Sequence, residues 1–426
     1  MAQSTMPPLD VLFDFLSNLG LQKYYPNKLT LQSLLEVNKS SIYEKVVLSE
    51  DEIPFYFLKK LFQINAGCRY CTPILSSHEE HEDNSEDSIL DIYTACGSAN
   101  TVHPLDLIVG LFLCADSFLQ QEMALKMSLC QFSVPLLLPH CNNNQCTLLL
   151  WALREIMKEW CPHDLCQTRG FVENNIVQAT IPFFSFVRLK NCSLSKSRFL
   201  NHILSCGQQN HNMFLHRDME GGAQPRKISN TLVEVFWFLP CGRANLDVFP
   251  EPVTFANLRG NVCESLTQFT FLYEVSNAIF VFLDKIEDKE HQILTALQDA
   301  KSKIYFVVNR KENGMTSVKK TLQELDIANS KVKIKDSRVN VAEFSQRLCE
   351  AIKNSLCDVK SASVLSVRPG TKCPADRYRS ADRRLGTPGI SYRRYFPCSL
   401  RAITSGPEAH KIGADSILHS KIAVVV

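Results

Sequence analysis

The sequence predicts an α/β fold over about residues 178–358, a doubly wound and mainly parallel sheet, preceded by an all-α region and followed by a tail without a core. Three observations carry this reading. After about Ile176, short β-rich runs alternate with amphipathic helical segments, the pattern of parallel βαβ units. Before that point, the apolar residues recur at helical spacing. From Lys360 onward, Pro, Gly, Ser and Arg dominate and no apolar periodicity remains.

In the first region, Val11, Leu12, Phe15, Leu16 and Leu19 line one face of a helix that Gly20 is placed to stop. A turn at Pro26 follows, then Thr30 before an apolar run at Leu31, Leu34 and Leu35, and a third segment from Ile53 to Ile64 with Phe55, Phe57, Leu58, Leu61 and Phe62. The acidic stretch HEEHEDNSEDS, His78 to Ser88, carries too little apolar surface for a core and marks a boundary. Residues 1–88 therefore read as a helical module with an acidic linker. Residues 89–177 read as a second helical region, with apolar helical segments at Pro104 to Leu138 and Thr147 to Trp160 on either side of a turn at His140 to Asn144.

The predicted strands of the 178–358 domain are Ile181 to Leu189, Leu232 to Leu239, Ala278 to Leu283, Lys303 to Asn309 and Lys331 to Lys335. The predicted helices are Ser195–Ser205, Cys263–Val275, Glu290–Ala300, Thr316–Asp326 and Val341–Leu356. Residues 359–426 read as a basic, disordered tail. Its arginines, interleaved with Tyr378, Tyr392 and Tyr395, offer stacking and phosphate contacts to RNA, against the plainer reading of a solvated tail.

Composition narrows the function classes. The 426-residue chain has a formal charge of only +2, so bulk electrostatics does not select nucleic acid or an anionic membrane. No apolar stretch reaches the ~20 residues of a membrane helix, and Met1 to Leu12 lack the layout of a secretory signal, which leads us to expect a soluble protein inside the cell. The 17 cysteines are scattered through apolar segments, as buried reduced thiols would be.

The chemistry concentrates after the strand that ends at Leu189. Lys190-Asn191-Cys192-Ser193-Leu194-Ser195-Lys196-Ser197 leads into a helix, giving the strand, loop and helix order of a P-loop. In the full motif, G-x-x-x-x-G-K-[ST], backbone N–H groups wrap phosphates, the lysine reaches the β and γ oxygens and the hydroxyl ligates Mg²⁺. Lys196 and Ser197 fit the last two roles, and Ser197 is the candidate metal ligand. Lys190 and Ser195 stand in place of the two glycines, where side chains crowd a loop that must approach phosphate. A serine-rich helix cap would produce the same local pattern.

Two further positions complete the predicted nucleotide site. The strand ending at Leu239 runs into Pro240-Cys241-Gly242, where a D-x-x-G motif would place its carboxylate at Leu239 and its glycine at Gly242, so slow hydrolysis or none is expected. Asn309-Arg310-Lys311-Glu312 follows a later strand where [NT]-K-x-D would read guanine, with Glu312 one methylene longer than the usual aspartate. Gln208 to Ser229 has the polar composition of a switch loop, with Ser229 and Thr231 as metal-facing hydroxyls.

These segments resemble the very large inducible GTPase family. The likeness is carried by LGLQKYYPNKLTLQSLLEV, IPFYFLKKLFQINAGCRYC, HPLDLIVGLFLCADSFLQQEMALKMSLCQFSVPLLLP, FFSFVRLKNCSLSKSRFLNHIL and VEVFWFLPCGRANLDVFPEPVTFANLRGN. It spans most of residues 9–356 and stops at the basic tail. The resemblance implies a G domain entered through residues 183–204, GTP with Mg²⁺ as ligand, and a cytoplasmic and nuclear location. It carries Lys196 and Ser197 over directly; the family accepts a serine at the place of Ser195 but has glycine at that of Lys190. Its members are much longer, so this chain is expected to be truncated.

Other chemistries find less support. Cys68, Cys71, His78 and His81 supply a C-x-x-C and H-x-x-H set, at closer spacing than a zinc finger; Cys161, His163 and Cys166 lack a fourth ligand nearby. No catalytic residue is assigned, because no G-x-S-x-G elbow or catalytic cysteine motif occurs. Three readings stay open: a GTP-binding protein with weak or absent turnover, a pseudo-GTPase module that docks protein partners through its helical N-terminal half, and a GTPase activated by assembly.

Overall fold

The computed structural model describes residues 9–35, 49–70, 102–139, 146–168, 170–190, 192–205, 212–297, 303–310 and 315–358, together with the two-residue strands at 368–369 and 398–399. The acidic stretch at 78–88, Cys71, His78 and His81, and the rest of the tail lie outside them, as do Asn191 and Glu312. The chain forms two compact units: Pro7–Phe132 with Asn212–Asn230, and Ser133–His211 with Thr231–Val426 and the first six residues.

The first unit is helical. Helix α1, Leu9–Asn18, buries Leu12, Phe15 and Leu16, one face at i, i+3 and i+4. It ends as its sequence predicts: Gly20 takes a left-handed φ of +62°, and Leu21 N–H donates to the Leu16 carbonyl at 2.8 Å. Helix α2, Leu31–Leu35, and helix α3, Ile53–Phe62, follow, with Pro54 in the first turn of α3, where no donor is lost. Helix α4, Pro104–Cys114, is buried on almost every face, and α5, Ser117–Leu129, is capped by Asp116, whose carboxylate accepts from Leu119 N–H at 2.8 Å. The helices α1 and α4 meet at Gly110, where a Cβ would stand 3.3 Å from Phe15.

The segment Asn212–Asn230 belongs to this helical unit. Buried Asp106 accepts three of its backbone N–H groups, from Lys227 (2.6 Å), Ile228 (3.1 Å) and Ser229 (2.7 Å). Arg69 donates to the carbonyls of Met213 and Asn212 and stacks 3.8 Å from the Phe132 ring. The predicted switch loop is thus tied by charged side chains rather than left solvated.

The second unit is built on a mixed sheet of eight strands in the order β10-β9-β8-β5-β7-β6-β1-β2. The strands are β1 Val134–Pro139, β2 Cys146–Leu148, β5 Phe183–Arg188, β6 Val233–Phe238, β7 Val253–Leu258, β8 Ala278–Leu283, β9 Ile304–Asn309 and β10 Val332–Lys335. From β10 to β7 all neighbours are parallel; β6, β1 and β2 extend the sheet with antiparallel pairings. Two more strands, β3 Met157–Trp160 and β4 Val172–Asn175, pair with each other as a separate ribbon. Short helix α6, Leu150–Leu153, precedes them; α7 Lys196–Ser205, α8 Leu266–Val275, α9 Asp288–Thr295, α10 Met315–Glu324 and α11 Val341–Asp358 alternate with the parallel strands. No described helix is long and apolar enough to cross a membrane.

Continuous apolar strands such as Ala278-Ile-Phe-Val-Phe-Leu283 suit a sheet buried on both faces. Phe186, Phe280 and Tyr305 stack across β5, β8 and β9 at 4.9 Å per pair, and each fully buried phenylalanine contributes roughly 1.5–3 kcal/mol. Helix α11 buries Phe344 and Leu348, and Phe344 meets Phe199 of α7 edge-on at 5.6 Å.

The expectation of an all-α region up to residue 177 needs correction. The predicted helix to Leu138 stops at Leu129, and Val134–Pro139 is a fully buried strand. The predicted helix from Thr147 to Trp160 resolves into β2, α6 and β3. A six-residue apolar run has no period that separates helix from strand, and Pro135 and Pro139 favour the extended form.

Candidate functional site

Strand β5 is flanked by β7 on one side and β8 on the other, both parallel to it. The chain leaves β5 through α7 toward β6 and β7, then returns across to β8, which makes the carboxyl end of β5 a topological switch point, where crevices form in open α/β sheets. The loop from Leu189 to Ser195 emerges there, and α7 begins at Lys196. Lys196 and Ser197 are only 5% and 6% exposed.

Their partners come from the end of β7. Lys196 Nζ donates to Asn257 Oδ1 at 2.7 Å and to the Leu258 carbonyl. Ser197 Oγ accepts from Asn257 Nδ2 at 3.1 Å and from Arg259 Nη1 at 2.9 Å. Arg259 Nε also donates to Glu234, which lies opposite Asn257 in the β6–β7 register, and Ser133 Oγ donates to the other carboxylate oxygen at 2.8 Å. Arg188 Nε reaches the carbonyl of Gly260, a residue at φ +80°.

The loop itself is held by carboxylates. Lys190 N–H donates to Glu290 Oε1 at 2.7 Å, and Glu290 also accepts from Glu287 N–H in the capping box of α9. Ser193 donates to Asp284, at the end of β8, through its N–H at 3.2 Å and its hydroxyl at 2.9 Å. Asn309 Nδ2 donates to both Ser193 Oγ (2.9 Å) and Asp284 Oδ1 (3.0 Å). Burial pushes the Cys192 thiol up to about 12, so it stays protonated at neutral pH and makes a poor nucleophile.

Six of the predicted site residues therefore lie along one loop-and-strand cluster: Lys190, Ser193, Ser195, Lys196, Ser197 and Asn309. Ser193 and Lys190 are exposed and Ser195 is half-buried. Asn191 and Glu312 lie outside the described residues. Gly242 is not brought to this cluster. Strand β6 runs antiparallel to β7, with Phe238 paired to Val253, so the turn after β6 lies at the amino end of β5. There Gly242 adopts φ +81°, and a Cβ would come within 2.6 Å of Cys161 Sγ. The glycine-ended tetrapeptide at the Lys196 end is instead Asn257-Leu258-Arg259-Gly260, which the sequence reading missed together with β7, Glu234, Asp284 and Glu290. Its available signal was an N-x-x-G sequence closing an apolar run.

Of the other candidates, Ser229 Oγ is buried without a hydrogen-bond partner among the described residues, and Thr231 N–H donates to the Arg259 carbonyl at 3.2 Å. Cys161 bridges to Cys241 by backbone pairing, and His163 Nε2 meets Asp247 at 2.9 Å. Among the described residues, no group of three or more His, Cys, Asp or Glu side chains is arranged to hold a metal ion. The described cysteines are free, and six of them are buried.

Comparison with known proteins gives this cluster its context. A family model described as "Up-regulator of cell proliferation-like domain" matches residues 102–368, and the corresponding N-terminal domain model matches residues 12–89. The chain is 36% identical to the up-regulator of cell proliferation of Mus musculus over 88% of its own length and 42% of that protein's. For the Homo sapiens protein the figures are 38%, 81% and 39%. It is also 31% identical to interferon-induced very large GTPase 1 of Homo sapiens, over 80% of this chain and 15% of the relative. The chain thus spans about two fifths or less of these relatives' lengths. On the family match across residues 102–368, the chain belongs to the up-regulator of cell proliferation-like family, and it is similar to interferon-induced very large GTPase 1 over most of its own length.

Proposed function

We propose that the chain binds a guanine nucleotide at the loop from Lys190 to Ser197, with weak or absent hydrolysis. The observation that carries this reading is the cluster of Lys196, Ser197 and Asn257 at the carboxyl end of β5. A buried lysine at the start of the helix that follows a switch-point strand sits where a phosphate-binding lysine is used. Asn257-x-x-Gly260 takes the place of D-x-x-G, and Asn309 closes the strand that would lead to the base-reading loop. The name of one relative, interferon-induced very large GTPase 1, supports guanine over adenine.

Weak turnover follows from the same residues. Phosphoryl transfer depends on a metal ion held by a hydroxyl and a carboxylate and on an oriented nucleophile. Asn257 supplies a neutral amide in place of that carboxylate.

The pseudo-GTPase reading has its own support. The loop's N–H donors at Lys190 and Ser193, which a phosphate would use, already serve Glu290 and Asp284. A thermal-shift titration of the full chain with GTP, GDP and ATP in Mg²⁺, alongside Lys196→Ala, tests the two. A ligand restricted to the folded state stabilises it by about 2.7 kcal/mol at a hundredfold excess over its dissociation constant. A guanine-specific rise in Tm that the variant loses is the expected result; no rise with any nucleotide would leave the pseudo-GTPase reading.

A further inference from the structure

Magnesium ordinarily accompanies a nucleoside phosphate in such a site, held by the hydroxyl at the start of the helix and, through it, by a carboxylate across the loop. The oxygens here do not fit that task. A serine oxygen has two lone pairs, and both on Ser197 are met by donors, from Asn257 Nδ2 at 3.1 Å and Arg259 Nη1 at 2.9 Å. The facing residue is an amide, and its Oδ1 is taken by Lys196 Nζ at 2.7 Å.

The carboxylates are engaged as well. Glu234, 2% exposed, receives Arg259 on one oxygen and Ser133 Oγ on the other. Asp284 accepts the N–H and hydroxyl of Ser193 and Asn309 Nδ2. A cation does stand beside Ser197, and it is a guanidinium. Arg259 is 6% exposed and its plane is oriented by the ion pair to Glu234. A guanidinium presents donors to phosphate in a fixed fork and cannot be deprotonated at working pH.

We propose that Arg259 takes the place of the metal ion, so that the site binds guanosine phosphates without a divalent cation. The positive charge then comes from Lys196 and Arg259, and Glu234 serves as the positioning residue for the guanidinium. This rests on the nucleotide-binding reading above. It adds that the ligand's affinity is independent of Mg²⁺, and it gives a physical reason for weak turnover: a fixed arginine does not bridge and reorganise around β- and γ-phosphate oxygens as a metal ion does.

The test is equilibrium binding of a fluorescent GDP or GTP analogue to the full chain, in excess Mg²⁺ and in excess EDTA. The expected result is a dissociation constant that differs by no more than about twofold between the two conditions, where about tenfold corresponds to 1.4 kcal/mol. A loss of about tenfold or more in EDTA would overturn the arginine assignment and leave nucleotide binding standing. No binding in either condition would overturn both.

The paired variant Glu234→Gln/Arg259→Gln provides the second arm, because removing both charges leaves no buried carboxylate without its partner. Checked for folding by circular dichroism, it is expected to bind about tenfold more weakly in EDTA. Unchanged affinity there would overturn the assignment, since the guanidinium would then be dispensable; the wild-type comparison decides the question if the variant does not fold.

Discussion

The two ends of the central sheet use polar groups in opposite ways. At the carboxyl end of β5, Lys196, Arg259 and Glu234 are all buried, Arg259 pairing with Glu234 and Ser197, Glu234 also accepting from Ser133, and Lys196 donating to Asn257 and the Leu258 carbonyl. At the amino end, Asp247 ties the turn after β6 by accepting the N–H groups of Cys241 (2.8 Å) and Arg243 (2.8 Å), and Cys166 and Cys241 are exposed. The second arrangement is ordinary turn chemistry. The first is costly to desolvate, and a better-packed apolar set would hold the fold as well or better. A concentration of buried charge at a switch point is therefore the feature that points to a ligand.

The difference can be broken from either side. The largest effect is expected for Arg259→Met, which leaves Glu234 buried without its cation and should lower stability by about 3–5 kcal/mol, read from urea denaturation; the neutral pair Glu234→Gln/Arg259→Gln should recover most of it. Next is Gly242→Ala at the other end. A left-handed alanine whose Cβ presses on Cys161 Sγ should cost about 2–3 kcal/mol, while any nucleotide-dependent shift in Tm stays that of the wild type.

A smaller change is expected for Asp284→Asn. It weakens the hydrogen bonds to Ser193 by about 1–2 kcal/mol and loosens the hold on the one loop N–H that Asp284 takes, so the guanine-dependent thermal shift should grow as basal stability falls. The smallest concerns acid. Burial raises the Asp247 carboxyl, but the Cys241 N–H, His163, the Cys241 thiol and the Arg243 N–H together hold it below its usual value. A depressed carboxyl contributes stability that is present above its unfolded value of about 3.9 and lost as pH falls through the folded one. Asp247→Asn should remove that part of the acid sensitivity below about pH 4 in a pH-denaturation series.

What could be read in the chain follows the same geometry. Strands β5, β8 and β9 were legible because strands buried on both faces are continuous apolar runs, and Lys196 and Ser197 because strand, loop and helix adjoin in sequence. Strand β7 escaped notice because Thr254 and Asn257 interrupt its apolar run. Glu234, Asn257 and Arg259 escaped with it, since what joins them is the cross-strand register of β6 and β7. The D-x-x-G comparison fell on Gly242 because nothing local to Leu232 to Leu239 tells which way that strand runs in the sheet. The helix expected over Val134–Pro139 failed for the opposite reason: apolar content without a period fits either element.

The grip of Asp106 and Arg69 on Asn212–Asn230 has a consequence for how the molecule could be divided. The helical unit is stitched from two stretches of chain, so one scission after Phe132 does not release it whole. The severed piece would lack the three backbone donors that meet Asp106, and a nicked molecule should keep its halves associated until the second stretch is also cut.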